Sequence, residues 1–284
     1  MLGPGGLEAM MERKWSGVLR MLARWVQQAM MVAAASSSLL VADVWAQTQT
    51  TPDPAQSRPH SKKVDPQINA PFQKGSVKDF IKRFETTDRE VFVKRREITE
   101  VLDLKPGMVV ADIGAGTGLF TRLFADAVGR GGKVYAVDES KDFLDHIAAG
   151  ARLRGQPQVE TIRGTQETTS LPAGSVDVAF LCDVYHHLEN HEKILASIHQ
   201  ALRPRGLLVL VEFDRVEGKS TTFVLNHIRA SQAEFRREIE GAGFKPVPIS
   251  QGPRLKENFI AKFQKTEKVG AKEKIDDVNS GGHD

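Results

Sequence analysis

Residues 109–139 read VVADIGAGTGLFTRLFADAVGRGGKVYAVDE, and this stretch decides the fold. It opens with an apolar run, 109–113, that ends at Gly114, Gly116 and Gly118. Phe120, Leu123, Phe124 and Ala127 then recur at helical spacing through 119–128, and a second apolar run, 133–137, closes on the acid Asp138. The pattern predicts strand, glycine turn, helix, strand and acid, a βαβ unit suited to a ligand that carries a ribose. Bare glycine backbone lets the loop approach the ligand, and Asp138 can accept hydrogen bonds from ribose hydroxyls.

The glycine spacing departs from the dinucleotide pattern. Leu119 stands where GxGxxG needs its third glycine, the one that packs helix against strand beside a pyrophosphate. Asp112, just ahead of the loop, puts a negative charge where a pyrophosphate would be repelled. An acid there suits a ligand with an ammonium group. Both details favour S-adenosylmethionine over NAD.

The rest of the chain continues as α/β. Ser140 is suited to cap a helix through about residue 154, buried on Phe143, Leu144 and Ile147. Residues 159–162 predict a third strand, and the nearly continuous apolar run 176–182 a fourth, covered on both faces. A helix on Ile194, Leu195 and Ile198 leads to a fifth strand at 207–213. Ser231 and Glu234 predict a capping box, and 245–250 with 258–263 a late strand pair. Ahead of the central unit, a helix is expected to begin at Ser76 and another to cover 89–102.

Four segments in this order resemble the motifs of class I S-adenosylmethionine-dependent methyltransferases: DIGAGTG at 112–118, YAVDES at 135–140, SVDVAFLCDVYHHL at 175–188 and ALRPRGLLVLVEF at 201–213. The likeness spans residues 72–264 and is to the small-molecule, methyltransferase type 11 branch that includes ubiquinone-biosynthesis-type C-methyltransferases. It implies a Rossmann-like fold with a seven-stranded, mostly parallel sheet, one antiparallel strand and helices on both faces. It also implies S-adenosyl-L-methionine as cofactor and a small-molecule methyl acceptor. By the same resemblance Gly114, Ala115, Gly116 and Gly118 hold the methionine part, with Asp112 nearby. Asp138 binds the ribose and Glu139 lies beside the adenine. Gln166, Thr165 or backbone stands in for an acid that relatives aim at the adenine amino group, while Cys182 and Asp183 lie along the cofactor.

Tyr185, His186 and His187 follow the fourth strand, at the carboxyl edge where open α/β sheets bind ligands. Tyr185 and His186 are expected to meet the substrate. His186 and His187 are the catalytic candidates, since imidazole can take a proton near neutral pH; the alternative is that they fix the loop or position the substrate. A His186, His187, His191 trio lacks a carboxylate or cysteine partner, so no metal is expected. The polar segment 213–229, with Arg215, Asn226, His227 and Arg229, either closes over the substrate or is a surface connection.

Charge and composition narrow the field. Thirty-nine Lys and Arg against thirty-six Asp and Glu leave +3, without a basic stripe interleaved with aromatics, so no nucleic-acid partner is expected. Cys182 is the single cysteine, which excludes an intramolecular disulfide. In residues 1–46, Arg13, Lys14, Arg20 and Arg24 precede a small-residue apolar run, and Val44 and Ala46 stand three and one residues before a candidate cleavage point. That reads as an export or membrane-targeting leader, placing the enzyme in the periplasm, outside the cell or at a membrane; without a working leader the chain is cytoplasmic. Residues 47–71 predict a flexible linker and 265–284 a disordered tail. No feature of the sequence sets the oligomeric state. The competing functional readings are a catalytically silent binding protein that kept the fold and, disfavoured by Leu119, an NAD-type oxidoreductase.

Overall fold

Alternate residues of the central strands face opposite layers of helices, which is why those strands are apolar at nearly every position. The computed structural model describes residues 63–267, within a unit that spans Ser61–Asp284. The leader, most of the expected linker and nearly all of the expected tail lie outside the described residues. Among those described, no helix is long and apolar enough to cross a membrane.

The strands are β1 (Val109–Ile113), β2 (Lys133–Asp138), β3 (Val159–Arg163), β4 (Val176–Cys182), β5 (Leu202–Phe213), β6 (Phe244–Val247) and β7 (Asn258–Lys265). They form one seven-stranded sheet in the order β3-β2-β1-β4-β5-β7-β6. The first five run parallel, and β7 pairs antiparallel with both β5 and β6. This is the expected Rossmann-like sheet with one antiparallel strand.

The helices are α1 (Ala70–Lys74), α2 (Val77–Phe84), α3 (Glu90–Val93), α4 (Arg95–Val101), α5 (Leu119–Val128), α6 (Lys141–Leu153), α7 (His191–Ala201), α8 (Thr222–His227) and α9 (Gln232–Gly241). On one face Val110, Val178, Phe180 and Val209 pack against Ile98 of α4 and Phe120 and Phe124 of α5. On the other, Ala111, Ala179, Leu208 and Leu210 meet Leu195 and Ile198 of α7 and Phe235 and Ile239 of α9. Ser140 accepts from the Phe143 backbone N–H, and Ser231 with Glu234 completes both bonds of the capping box.

Several boundaries differ from the sequence expectation. Helical structure begins at Pro66, in a 3-10 turn Pro66–Ile68, rather than near Ser76. Part of the stretch expected as linker is therefore folded, anchored by Phe72, whose ring stacks on Phe80 at 5.2 Å. The helix expected over 89–102 is two helices, broken at Lys94. Glu90 spends its carboxylate on the backbone N–H groups of Lys256, Glu257 and Asn258, tying α3 to the start of β7. Strand β5 begins five residues early, at Leu202, with Arg205 at φ 63° in the turn ahead of its apolar run.

Phe124 is fully buried and packs edge-on against Phe180 at 5.1 Å, where α5 meets the sheet. Phe124→Ala is expected to lower stability by about 3–5 kcal/mol in chemical denaturation, as cavity-forming aromatic truncations do.

Candidate active site

The carboxyl ends of β1, β2 and β4 open into a cleft of about 1300 Å³. At its floor the chain leaves β1 and turns through three glycines with positive φ: Gly114 at 72°, Gly116 at 52° and Gly118 at 73°. Their reasons differ. A Cβ on Gly114 would lie 2.5 Å from the Val184 side chain, and one on Gly118 would lie 2.8 Å from Ile147. Those two glycines permit close packing inside the protein, and Gly118 is not part of the cleft wall. A Cβ on Gly116 would instead project into free space, its nearest neighbour 3.9 Å away. Gly116 and Ala115 line the cleft, so this is the stretch of backbone a ligand can approach.

Two carboxylates bracket the loop. Asp138, at the end of β2, accepts from the Gly116 N–H and the Ser140 N–H, both at 2.9 Å. It thereby ties the glycine turn to the cap of α6 and still lines the cleft. Burial raises its pKa, and those backbone N–H groups partly offset the rise. Asp112 is 3% exposed and accepts from the Thr121 hydroxyl at 2.6 Å. Burial pushes its carboxyl up to about 7, against the pull of Thr121. A buried acid of this kind is poised to ionise when a cation arrives.

Farther along the wall stand Glu139, on which burial acts to raise the pKa, and Gln166, which bonds to it and accepts from the Glu189 N–H at 3.0 Å. Asp183 follows β4 with φ 51°, a left-handed conformation that Asp tolerates better than most residues. One of its oxygens is paired with Arg89, and the other accepts from the Asn258 amide at 2.6 Å. Burial lifts its carboxyl to about 6, with Arg89 opposing. Cys182 also lines the cleft, its thiol pushed up by burial.

The other end of the cleft is histidine-lined. His186 and His187 sit in a 3-10 turn, Tyr185–His187, and His227 reaches them from the end of α8. The His186 ring is 4.1 Å from His187 and 5.0 Å from His227, centroid to centroid. Nδ1 of His186 bonds to Oε1 of the fully buried Glu212 at 2.8 Å, and Nδ1 of His187 bonds to Oδ1 of Asn69 at 2.8 Å. Burial and the neighbouring rings bring His187 down to about 2 and His227 to about 4.

Tyr185 does not join this group. It is 1% exposed, and its hydroxyl donates to Glu238, which also holds Arg229 in a two-point ion pair at 2.7 and 2.8 Å. The tyrosine thus faces away from the cleft into the α9 layer, where its ring fills the core. His191 points the same way, 3.7 Å from Glu238, and is no partner of His186. The sequence reading missed Glu212 and Asn69 and left His227 undecided. Glu212 had a usable signal: a lone charge inside an apolar strand must find a buried partner. Asn69 had none, lying 118 residues from the histidine it orients.

The methyltransferase-domain family matches residues 111–210, which hold the glycine loop, Asp138 and the histidine turn. The chain is 34% identical over 115 residues to an uncharacterized 37.1 kDa protein of a Streptomyces fradiae transposon, covering 40% of this chain and 33% of that one. It is 28% identical over 125 residues to a ubiquinone/menaquinone biosynthesis C-methyltransferase of Hydrogenovibrio crunogenus, covering 43% and 48%. It thus spans between a third and about half of the length of these two relatives and of two demethylmenaquinone methyltransferases that it also matches. The crystal structure of a SAM-dependent methyltransferase from Aquifex aeolicus superposes with a TM-score of 0.58 at 22% identity, over 66% of this chain and 98% of that one, a likeness of fold. Sheet, site and matched segment together define a class I S-adenosylmethionine-dependent methyltransferase domain. S-adenosylmethionine is accordingly its cofactor, and the cleft fits it: open space above Gly116, an acid lining the cleft at the end of β2 (Asp138) and a buried acid at Asp112.

The raised pKa of Asp112 carries a stability consequence. Between its ordinary 3.8 and about 7 the folded chain keeps a proton that the unfolded chain has released, so stability falls as pH rises through that window. Asp112→Asn removes the titration. It is expected to raise the melting temperature of the cofactor-free protein at pH 8 and to change it little at pH 4; equal shifts at both would overturn the assignment.

Proposed function

We propose that this chain transfers the methyl group of S-adenosylmethionine to a small-molecule acceptor bound at the histidine end of the cleft. The observation that carries the reading is the division of one continuous cleft into an acidic half, with Asp112 and Asp138, and a half lined by neutral imidazole and aromatic rings. Its volume exceeds the roughly 300–1,000 Å³ of a single drug-sized ligand site, which supports two reactants side by side. The ubiquinone/menaquinone biosynthesis enzyme to which the chain is similar is a C-methyltransferase, and that likeness favours a small acceptor over a macromolecule.

When bound, the cofactor supplies an activated methyl on a sulfonium whose leaving group is a neutral thioether. The protein's contribution to such a displacement is alignment and exclusion of water. Gly116 and Ala115 offer backbone to the methionine part. Asp112 pairs with its ammonium and Asp138 takes the ribose hydroxyls. Phe72 and Phe84, backed by the buried Phe80, form an aromatic wall that continues to His187, whose ring lies edge-on to Phe72 at 5.1 Å. His187, held near 2, is a positioning group and not a proton acceptor at neutral pH.

Calorimetric titration of the full chain tests this. S-adenosylmethionine and S-adenosylhomocysteine are expected to bind and NAD not to. Asp138→Ala should weaken the sulfur ligands about 10–100-fold, the loss of one or two charge-assisted hydrogen bonds. Binding confined to NAD would sink the reading, and binding without turnover on any quinol, phenol or thiol acceptor would favour the silent-binder alternative. Affinity for S-adenosylmethionine should also rise with pH through 7 as Asp112 ionises, and flatten in Asp112→Asn.

A further inference from the structure

We propose that His186, His187 and His227, backed by Glu212, bind a divalent transition-metal ion of the zinc type at the acceptor end of the cleft. One candidate ligand nitrogen from each histidine lies within 4.8 Å of the other two. Nε2 of His186 is the telling atom. It is buried without a hydrogen-bond partner, although the residue is 1% exposed and its ring borders the cleft. Buried polar atoms are nearly always satisfied, so an orphan aimed into a histidine cluster points to a ligand.

The tautomers agree. Glu212 accepts from the His186 and Phe213 backbone N–H groups, so it acts as an acceptor, and Nδ1 of His186 must donate to it. In the neutral tautomer that leaves Nε2 of His186 bare. The Asn69 amide nitrogen donates to the His187 carbonyl and to Glu189, which turns its oxygen toward Nδ1 of His187. Nδ1 of His187 donates in turn, and its Nε2 is bare as well. A carboxylate behind His186 and an amide oxygen behind His187 are the arrangement that fixes ring orientation and raises basicity in histidine metal sites. Three imidazoles select zinc, copper, nickel or cobalt over calcium and magnesium. With Zn–N bonds of about 2.0–2.1 Å the nitrogens must draw closer than they stand. The movable member is His227, half-buried at the end of the six-residue α8 and stacked on the exposed ring of Phe223.

Three protein ligands leave a position open to the cleft, as in catalytic zinc sites. In the methyl-transfer reading, on which this one step rests, an acceptor hydroxyl or thiol takes that position and gives up its proton to water, becoming a better nucleophile. The binding site itself does not depend on that reading.

The test uses the full chain, stripped with a chelator and titrated with zinc chloride and cobalt chloride. One tight equivalent of zinc is expected, with cobalt giving the visible d–d absorption of a four-coordinate nitrogen site. His227→Ala should abolish the tight site and the cobalt spectrum, and Glu212→Gln should weaken zinc about 10–100-fold. Zinc-edge absorption of the wild-type chain should show three imidazoles, a readout that needs no variant. Absence of tight binding, a non-histidine shell, or equal affinity in folded His227→Ala would overturn the proposal. S-adenosylmethionine titrated into the metal-free chain reports separately on the methyl-transfer reading.

Discussion

The site depends on one topological constraint, the neighbouring positions of β1 and β4 at the centre of a parallel sheet. Crossovers between parallel strands are right-handed, so reversing the direction of strand order sends the following helices to opposite faces. Helix α5, after β1, lies on the face with α4, while α7, after β4, lies on the other. The two loops must therefore part company at the carboxyl edge, and the gap between them is the cleft. Gly114 and Val184 mark how narrow that parting is at its base: only the absence of a Cβ on Gly114 lets the β4 loop pass. The glycine loop, Asp183 and the histidine turn all take their places from this divergence.

A second constraint follows from the first. A cleft between packed faces draws its polar groups from strand ends that are otherwise apolar, so its charges are buried and each must be answered. Asp183 is answered by Arg89 and Asn258, Asp138 by two backbone N–H groups, and Glu212 by His186 and two backbone N–H groups. Asp112 is answered by Thr121 alone, through its hydroxyl and its backbone N–H, and burial raises its pKa to about 7. In the proposed function, this least compensated acid is the partner of the cofactor's ammonium. This is the pattern expected when stability is given up for binding.

What was legible in the sequence is what local spacing encodes. Val109 to Asp138 reveal strand, turn and helix because their periodicities are short-range and both sheet faces are buried. The acids Asp112 and Asp138 follow because a strand end fixes where a side chain stands. Tyr185 misled for the same reason: adjacency to His186 placed it at the cleft edge, but the 3-10 turn rotates successive residues apart, and Tyr185 faces Glu238 in α9. Asn69 was invisible because its significance lies in pairing with a residue 118 positions along the chain, whereas Glu212, a lone charge in an apolar strand, announced that it needed a partner but not which. Residues 66–71 were hidden by the polar, proline-containing composition of the segment they end, although Phe72, just beyond it, anchors them.

The two ends of the cleft differ in the groups that line them, acids at one and imidazoles at the other. Burial and neighbouring histidines bring His187 and His227 down to about 2 and about 4, so both are neutral at pH 7. The hydrogen bond at Nδ1 of His187 then presents a lone pair, not an N–H group, to the acceptor space. Histidines held neutral in this way have surrendered the usual pH-sensing role of the residue. His187 and His227 keep instead the property of being neutral nitrogen donors beside His186, which Glu212 holds from behind.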